Sequence, residues 1–321
     1  MKVTKKLVGI SQDIETKKYT SLRTRVTRAW GLYLLLLFPL VYVFIFNYIP
    51  MYGVLMAFQR FTIRDGIWGS TWVGLYHFER FLTSPIALRV IWNTIVLNLY
   101  SLAVSFPLPI MLAIGLTHVT SRYYRKSVQM ITYAPFFLSS VVLVGLMSQF
   151  FGMRFGPINH VITFLGGSPV NFMGSVDAFR HMFVWSGVWQ EMGYNSIIFI
   201  AALSSVDPQM HEAAVIDGAS MWKRILYIDI PTILPTITII LILRMGAMMT
   251  VGFERVFLMQ NPMNTSVSEV IETYVYRIGI ASARPDFSFG AAVGLFQNII
   301  GVVLVFLSNL LSKKVTGNGL W

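Results

Sequence analysis

The sequence predicts an all-α, polytopic membrane protein with six transmembrane helices and both termini in the cytoplasm. Three observations predict it. Of 321 residues, 55% are hydrophobic and only 12% charged, whereas soluble domains carry roughly 45–50% apolar and about 25% charged residues. The apolar residues come in long blocks, and a bilayer core about 30 Å thick is crossed by about 20 of them in a helix. The basic residues are shared unequally between the two sets of connecting segments, as membrane topology requires.

The blocks fall at about 31–57, 90–116, 128–151, 181–203, 232–253 and 288–311, separated by polar segments rich in the turn formers Gly, Pro, Asn and Asp. Residues 1–29 are a basic tail carrying Lys2, Lys5, Lys6, Lys17, Lys18, Arg23, Arg25 and Arg28. The first block is too long for a cleaved signal peptide, so it reads as a retained helix that Pro39 and Pro50 kink or end. With the N-terminus inside, fifteen Lys and Arg lie on the cytoplasmic side, among them Arg122, Arg125, Lys126, Lys223, Arg224, Lys313 and Lys314. The outside segments hold nine arginines (Arg60, Arg64, Arg80, Arg89, Arg154, Arg180, Arg255, Arg277, Arg284) and no lysine. The net charge of +11 therefore serves topology and not nucleic-acid binding. With no cysteine, thiolate catalysis, disulfides and Cys-based zinc sites are excluded. The external segment 58–89 gathers Trp68, Trp72, Tyr76, Phe78 and Phe81, which suits the membrane interface or a docking surface for an external partner.

The segment between the fourth and fifth blocks differs from the other connections. Asp207 suits an N-cap and Pro208 the first helical turn. Residues 208–217 contain good helix formers, and Gly218 can end the helix with a positive φ. A second helix can run over 220–230, with Pro231 opening the fifth span. A helix lying on lipid would carry basic residues on its polar face. This one carries Glu212 and Asp217 and no Lys or Arg, which suits insertion into a groove of a soluble partner.

At these residues the chain resembles a known family. Glu212-Ala213-Ala214, then Gly218, then Ile228-Asp229-Ile230-Pro231 are similar to the signature loop of binding-protein-dependent ABC importer permeases, E-A-A, three residues, G, nine residues, I-x-L-P. The one departure is Ile230 in place of Leu. The resemblance implies a type I importer fold, with 204–231 as the coupling loop and Glu212, Ala213, Ala214, Asp217, Gly218 and Pro231 as its ATPase-contacting residues. It implies four further pieces of the chain: a cytoplasmic tail (1–29), a first helix with external loop (30–89), a permease core (90–312) and a C-terminal tail (313–321). Trp72-Val73-Gly74-Leu75, Asn93-Thr94, Phe253-Glu254, Asn261-Pro262 and Gly319-Leu320-Trp321 resemble the branch that moves oligosaccharides or polysaccharide fragments. The partners implied are a second, different permease, two ATPase subunits, an external solute-binding protein, the sugar and membrane lipid. The chain has no G-x-x-x-x-G-K-[ST] phosphate loop, so it is not the enzyme of such a system. It binds no cofactor itself, and ATP and Mg belong to the ATPase.

Glu191 and Arg244 lie near the middles of the fourth and fifth blocks. Ionisable groups at that depth face a bundle interior or a wet cavity. The two can pair with each other, or they can join Trp189, Tyr194 and Asn195 in a sugar path of aromatic faces and polar groups. An unpaired Arg244 would favour an acidic sugar, because a guanidinium grips carboxylates bidentately. Met245, Met248 and Met249 suit core packing or a flexible path lining. His77, His118, His160, His181 and His211 are scattered, without metal-ligand spacing. A permease for another solute is the nearest alternative. An ion-coupled secondary transporter would leave the 212–231 loop without a role.

Overall fold

The computed structural model describes residues 29–317, 319 and 320. The basic residues of the tail up to Arg28, and Trp321, lie outside them. The chain divides into two compact units, Met1–Gly53 and Val54–Trp321.

In the first unit, helix α1 spans Trp30–Val43 and contains Pro39. A π turn, Phe44–Tyr48, and a 3-10 segment, Ile49–Phe58, continue it. Proline at position 50 has no N–H to donate, and the wider turn ahead of it is the usual local answer to a broken helical ladder. The apolar side chains of α1 are exposed throughout, which water would penalise and lipid would not.

The second unit begins with a two-residue antiparallel pair, β1 (Gln59–Arg60) and β2 (Thr71–Trp72), the one departure from all-α character. Short helices α2 (Gly66–Gly69) and α3 (Tyr76–Leu82) accompany it. Phe81 packs among Tyr274, Phe289 and Phe296 at 1% exposure. It is a core residue and belongs neither to an interface belt nor to a docking surface. Helices α4 (Pro85–Ser105) and α5 (Pro107–His118) together form one apolar run interrupted at Phe106, where Pro107 cannot donate to the preceding turn.

The third apolar block is not one straight span. Helix α6 (Arg122–Tyr133) and a 3-10 turn, Ala134–Phe137, meet α7 (Ser140–Phe150) at a bend of 102°. Pro135 removes a donor, and Ser139 starts a new helix by accepting from the Val142 N–H. Helix α8 (Pro157–Phe164) follows on the outer side. Then comes α9 (Val176–Leu203), 28 residues long and carrying Asp177, Arg180 and Glu191. It packs against α4, α5 and α6.

After α10 (Pro208–Ile216), one continuous helix runs from Met221 to Gly246. It comprises α11 (Met221–Arg224), a π turn (Ile225–Asp229) and α12 (Ile230–Gly246). Pro231 therefore sits inside a helix already under way and does not open it. The π turn absorbs the missing donor, and Thr232 Oγ1 donates back to Ile228 O at 2.7 Å. The helix stops at Gly246, short of the expected 253. Helices α13 (Phe253–Met259), α14 (Thr265–Ser268) and α15 (Ile271–Gly279) form the outer connection before α16 (Phe287–Thr316).

Among the described residues, four helical runs are long and apolar enough to cross a bilayer: Trp30–Phe58, Pro85–His118, Met221–Gly246 and Phe287–Lys314. The bent α6–α7 pair makes a fifth if it counts as one span. The more charged α9 is long enough for a sixth.

Two polar pins hold the outer half of the second unit. Glu269, 2% exposed, accepts from Arg89 on α4 at 2.8 Å and pairs with Arg277 on α15 at 2.6 Å. Asn264, wholly buried, donates to Met173 O and Met259 O and accepts from the Asn261 N–H and the Ser268 hydroxyl. An isosteric apolar side chain would orphan the Asn261 N–H and Met259 O, each worth about 1–3 kcal/mol, while Met173 O would keep the Asn261 amide as donor. Asn264→Leu is therefore expected to lower the thermal melting point of the detergent-solubilised protein by several degrees. Asn264→Asp keeps the acceptor for the Asn261 N–H and Ser268 but turns a buried carboxylate oxygen toward Met173 O and Met259 O, so it should lose at least as much, and melting curves of the two variants check this.

Candidate functional site

A polar cavity of about 150 Å³ lies among α4, α9, α12 and the turn into α13. Its polar lining includes Asn98, Ser101, Glu191, Arg244, Thr250 and Arg255. Arg255, assigned from sequence to an external segment, reaches into it. Its guanidinium lies 4.2 Å over the Phe183 ring and 3.9 Å from Glu191 Oε1. It fits because residue 187 is glycine: a Cβ there would meet Arg255 Nη1 at 2.8 Å. The expected Glu191–Arg244 pair is not formed. Glu191 has Arg255 as its counter-ion, and Arg244 makes no ion pair or hydrogen bond with the described residues.

Arg244 also lines a second cavity of about 400 Å³ with Tyr194, Asn195, Ser105 and Phe106. Tyr194 stacks flat on Phe136, with ring centroids 3.7 Å apart. Glu191 and Arg255 line a third cavity of about 300 Å³ with Ser140, Gln190 and Glu254. The three spaces are neighbours: the first and second share Arg244, Ser105 and Phe106, and the first and third share Glu191, Val251 and Arg255. Trp189 is not part of it: it faces a separate apolar cleft of about 450 Å³ beside Phe150, Met147 and Trp185. Met248 and Met249 are buried in the core, and Met248 also lines the polar cavity.

The turn that delivers Arg255 is held from α15. Glu272 accepts from the N–H groups of Val251 and Gly252, each at 3.1 Å. Burial pushes the Glu272 carboxyl above the ordinary carboxylate range, and the two donors pull it part of the way back. A carboxyl whose pKa is higher folded than unfolded binds more protons in the folded state. Its contribution is present at low pH and fades as pH rises through the folded value. Glu272→Gln keeps an acceptor oxygen and removes that titration. Melting temperatures from about pH 5 to about pH 8, above the ordinary ~4.3 of a glutamate, should fall less for Glu272→Gln than for the wild type. Parallel curves contradict this.

The connection between α9 and α12 is built as its residues dictate. Asp207 caps α10 by accepting from the Gln209 N–H at 2.9 Å. The helix ends in a Schellman turn: Gly218 takes φ +77°, its N–H donates to Val215 O, and Ala219 N–H donates to Ala214 O at 2.8 Å. Glu212, Ala213, Asp217, Val215 and Ile216 are exposed on α10, and Pro231 is exposed further along. Beneath this helix lies a cluster missed from sequence. Asp229, 1% exposed, binds His118 Nε2 through Oδ2 at 2.7 Å and His211 Nε2 through Oδ1 at 3.1 Å. Its only sequence signal is one carboxylate in the otherwise apolar stretch 225–231.

Membrane-length helices beside neighbouring cavities that carry polar and charged side chains suit a membrane transport component. The chain belongs to the family described as binding-protein-dependent transport system inner membrane component, whose pattern covers residues 105–317. It is 40% identical over 290 residues to protein LplB of Bacillus subtilis, covering 90% of this chain and 91% of that one. It is equally identical over 290 residues to the polygalacturonan/rhamnogalacturonan transport system permease protein YteP of the same organism, with 90% of each covered. A chain of a bacterial ABC transporter involved in import of the acidic polysaccharide alginate superposes with a TM-score of 0.84 at 36% identity, over 92% of this chain and all of that one. A second structure, of an alginate transporter with its alginate pentasaccharide-bound periplasmic protein, matches with the same score at 35% identity. This chain is thus a multi-pass inner-membrane permease of an ABC importer that works with a solute-binding protein, and it is not itself an ATPase.

Proposed function

We propose that this permease carries acidic oligosaccharides, fragments of uronate-containing polysaccharides, through the cavities around Arg244 and Arg255. The observation that carries the reading is the charge inventory of the polar cavity. It holds two guanidinium groups and one carboxylate, and that carboxylate already faces Arg255. Arg244 is exposed to the cavities and has no counter-ion among the described residues, and an ionisable group midway along a membrane-length helix marks a substrate path or a partner contact. A uronate supplies that anion in the planar form a guanidinium binds best. Asn98, Ser101 and Thr250 add hydroxyl and amide partners for sugar hydroxyls, and Tyr194 adds an aromatic face. The names of the relatives, one a polygalacturonan/rhamnogalacturonan permease and the others from alginate importers, point the same way.

In this reading six helices cross the membrane, both termini are cytoplasmic, and the chain pairs with a second, different permease above two ATPase subunits that bind ATP and Mg. Helix α10 enters a groove of an ATPase subunit through Glu212, Asp217 and the exposed Val215 and Ile216. Closing the ATPase dimer on ATP would open the cavity outward to receive solute, and hydrolysis would return it inward.

Two expected outcomes follow. Arg244→Gln should reduce uptake of an acidic oligosaccharide by roughly tenfold to a hundredfold, since a hydrogen bond to a charged group contributes about 1.5–3 kcal/mol. It should change uptake of a neutral oligosaccharide little. Equal loss for both would instead mean that Arg244 is a structural group, for example one facing the second permease. For the loop, Glu212→Lys reverses the charge and Gly218→Pro forbids the positive φ. Both variants are expected to insert in the membrane yet fail to co-purify with the ATPase subunit, and normal retention and transport by both would dismiss the docking role.

A further inference from the structure

The buried carboxylate of Asp229 joins three segments. It sits in the π turn that leads into α12. One of its oxygens is held by His211 of α10, the other by His118, the last residue of α5. The two imidazole rings meet edge to face, with centroids 5.7 Å apart. A carboxylate buried to 1% exposure is costly unless its oxygens are hydrogen-bonded, and here each oxygen has its own imidazole donor. The joint therefore favours one arrangement of the three segments.

Chain continuity explains what this does. Helix α10 is connected through the chain to α9 on one side and to α12 on the other, so a push on it reaches Glu191 and Arg244 directly. To α5 it has no chain connection. Helix α5 packs on α9 and α12 through the apolar cluster of Ala113, Phe199, Leu203 and Ile233, a non-directional contact that can slide, and the bond from His118 to Asp229 adds a directional tie from the end of α5 to the π turn. Helix α5 continues α4 across the break at Phe106, and α4 supplies Asn98, Ser101 and Ser105 to the polar cavity. All three walls of that cavity then answer to one element on the cytoplasmic surface.

We propose that Asp229, with His118 and His211, is a positioning cluster that carries motion of α10 into α5 and so couples ATP hydrolysis to rearrangement of the cavity. This inference rests on the reading that α10 docks on the ATPase, but not on the identity of the solute.

The test uses the complete importer, with both permeases, ATPase and binding protein, reconstituted in proteoliposomes. Retention of the ATPase subunit, ATP hydrolysis and solute taken up per ATP are measured together. His118→Ala is expected to keep the ATPase bound and hydrolysing while uptake per ATP falls at least about fivefold, the lower end of ordinary coupling between sites. His118→Gln, whose amide N–H can still reach the carboxylate, should restore most of the loss. In place of Asp229→Ala, which leaves two imidazoles without their acceptor, the pair His118→Leu with Asp229→Leu removes donor and charge together and leaves no orphaned ion, His211 being partly exposed. That double variant should be as stable as the wild type and still uncoupled. Unchanged uptake per ATP in the double variant, or loss of the ATPase subunit from the His118→Ala complex, overturns the proposal. A failure of α10 to dock at all is recognised separately, by Glu212→Lys retaining the ATPase.

Discussion

A charge placed among apolar helices has to find its counter-charge or its hydrogen bonds within the protein, because lipid offers neither. Much of the second unit can be read from how this demand is met. Glu269 collects Arg89 and Arg277 between α4 and α15, Asp229 collects two histidines from α5 and α10, and Glu191 faces Arg255. Each cluster draws its members from helices far apart in sequence, so each fixes a tertiary arrangement that apolar packing alone would leave open to sliding. Apolar contact is non-directional, whereas a buried carboxylate has a small number of favourable donor positions.

Arg244 is the exception. Its neighbours are hydroxyls, an amide and an aromatic ring, with no free carboxylate among the described residues of the cavity. Arg255 differs from it in being packed against Phe183 over Gly187, where the ring face compensates part of its desolvation. One arginine is thus built into the wall and the other faces the space.

The helices themselves are broken where the chain cannot complete its ladder. Proline at 107, 135 and 231 removes a donor, and the outcomes differ: an interruption, a 102° bend and a π turn. What differs is the next available partner. At 139 a serine offers a new cap, so the chain turns. At 231 a threonine hydroxyl returns a bond to the preceding turn, so the helix goes on. That continuation makes Met221–Gly246 one helix, set off from α10 by the turn at Gly218.

The sequence alone determined the membrane class, the approximate place of most of the apolar blocks, and the helix–glycine–helix form of the loop after α9. Those follow from local chemistry: runs of apolar side chains, a capping Asp207, and Gly218 where a left-handed residue is needed. The family was legible for the same reason, since its signature is a spacing within one short segment. Tertiary structure alone decided the ionic partners. Glu191 had Arg244 as its apparent mate because both lie at mid-span, yet Arg255 bends back from the outer connection into the room left by Gly187. His118 and His211 looked scattered because 93 residues part them, and only the folding of α5 against the loop brings them to Asp229. Periodicity and caps act over a few residues; the meeting of charges depends on where whole helices come to rest.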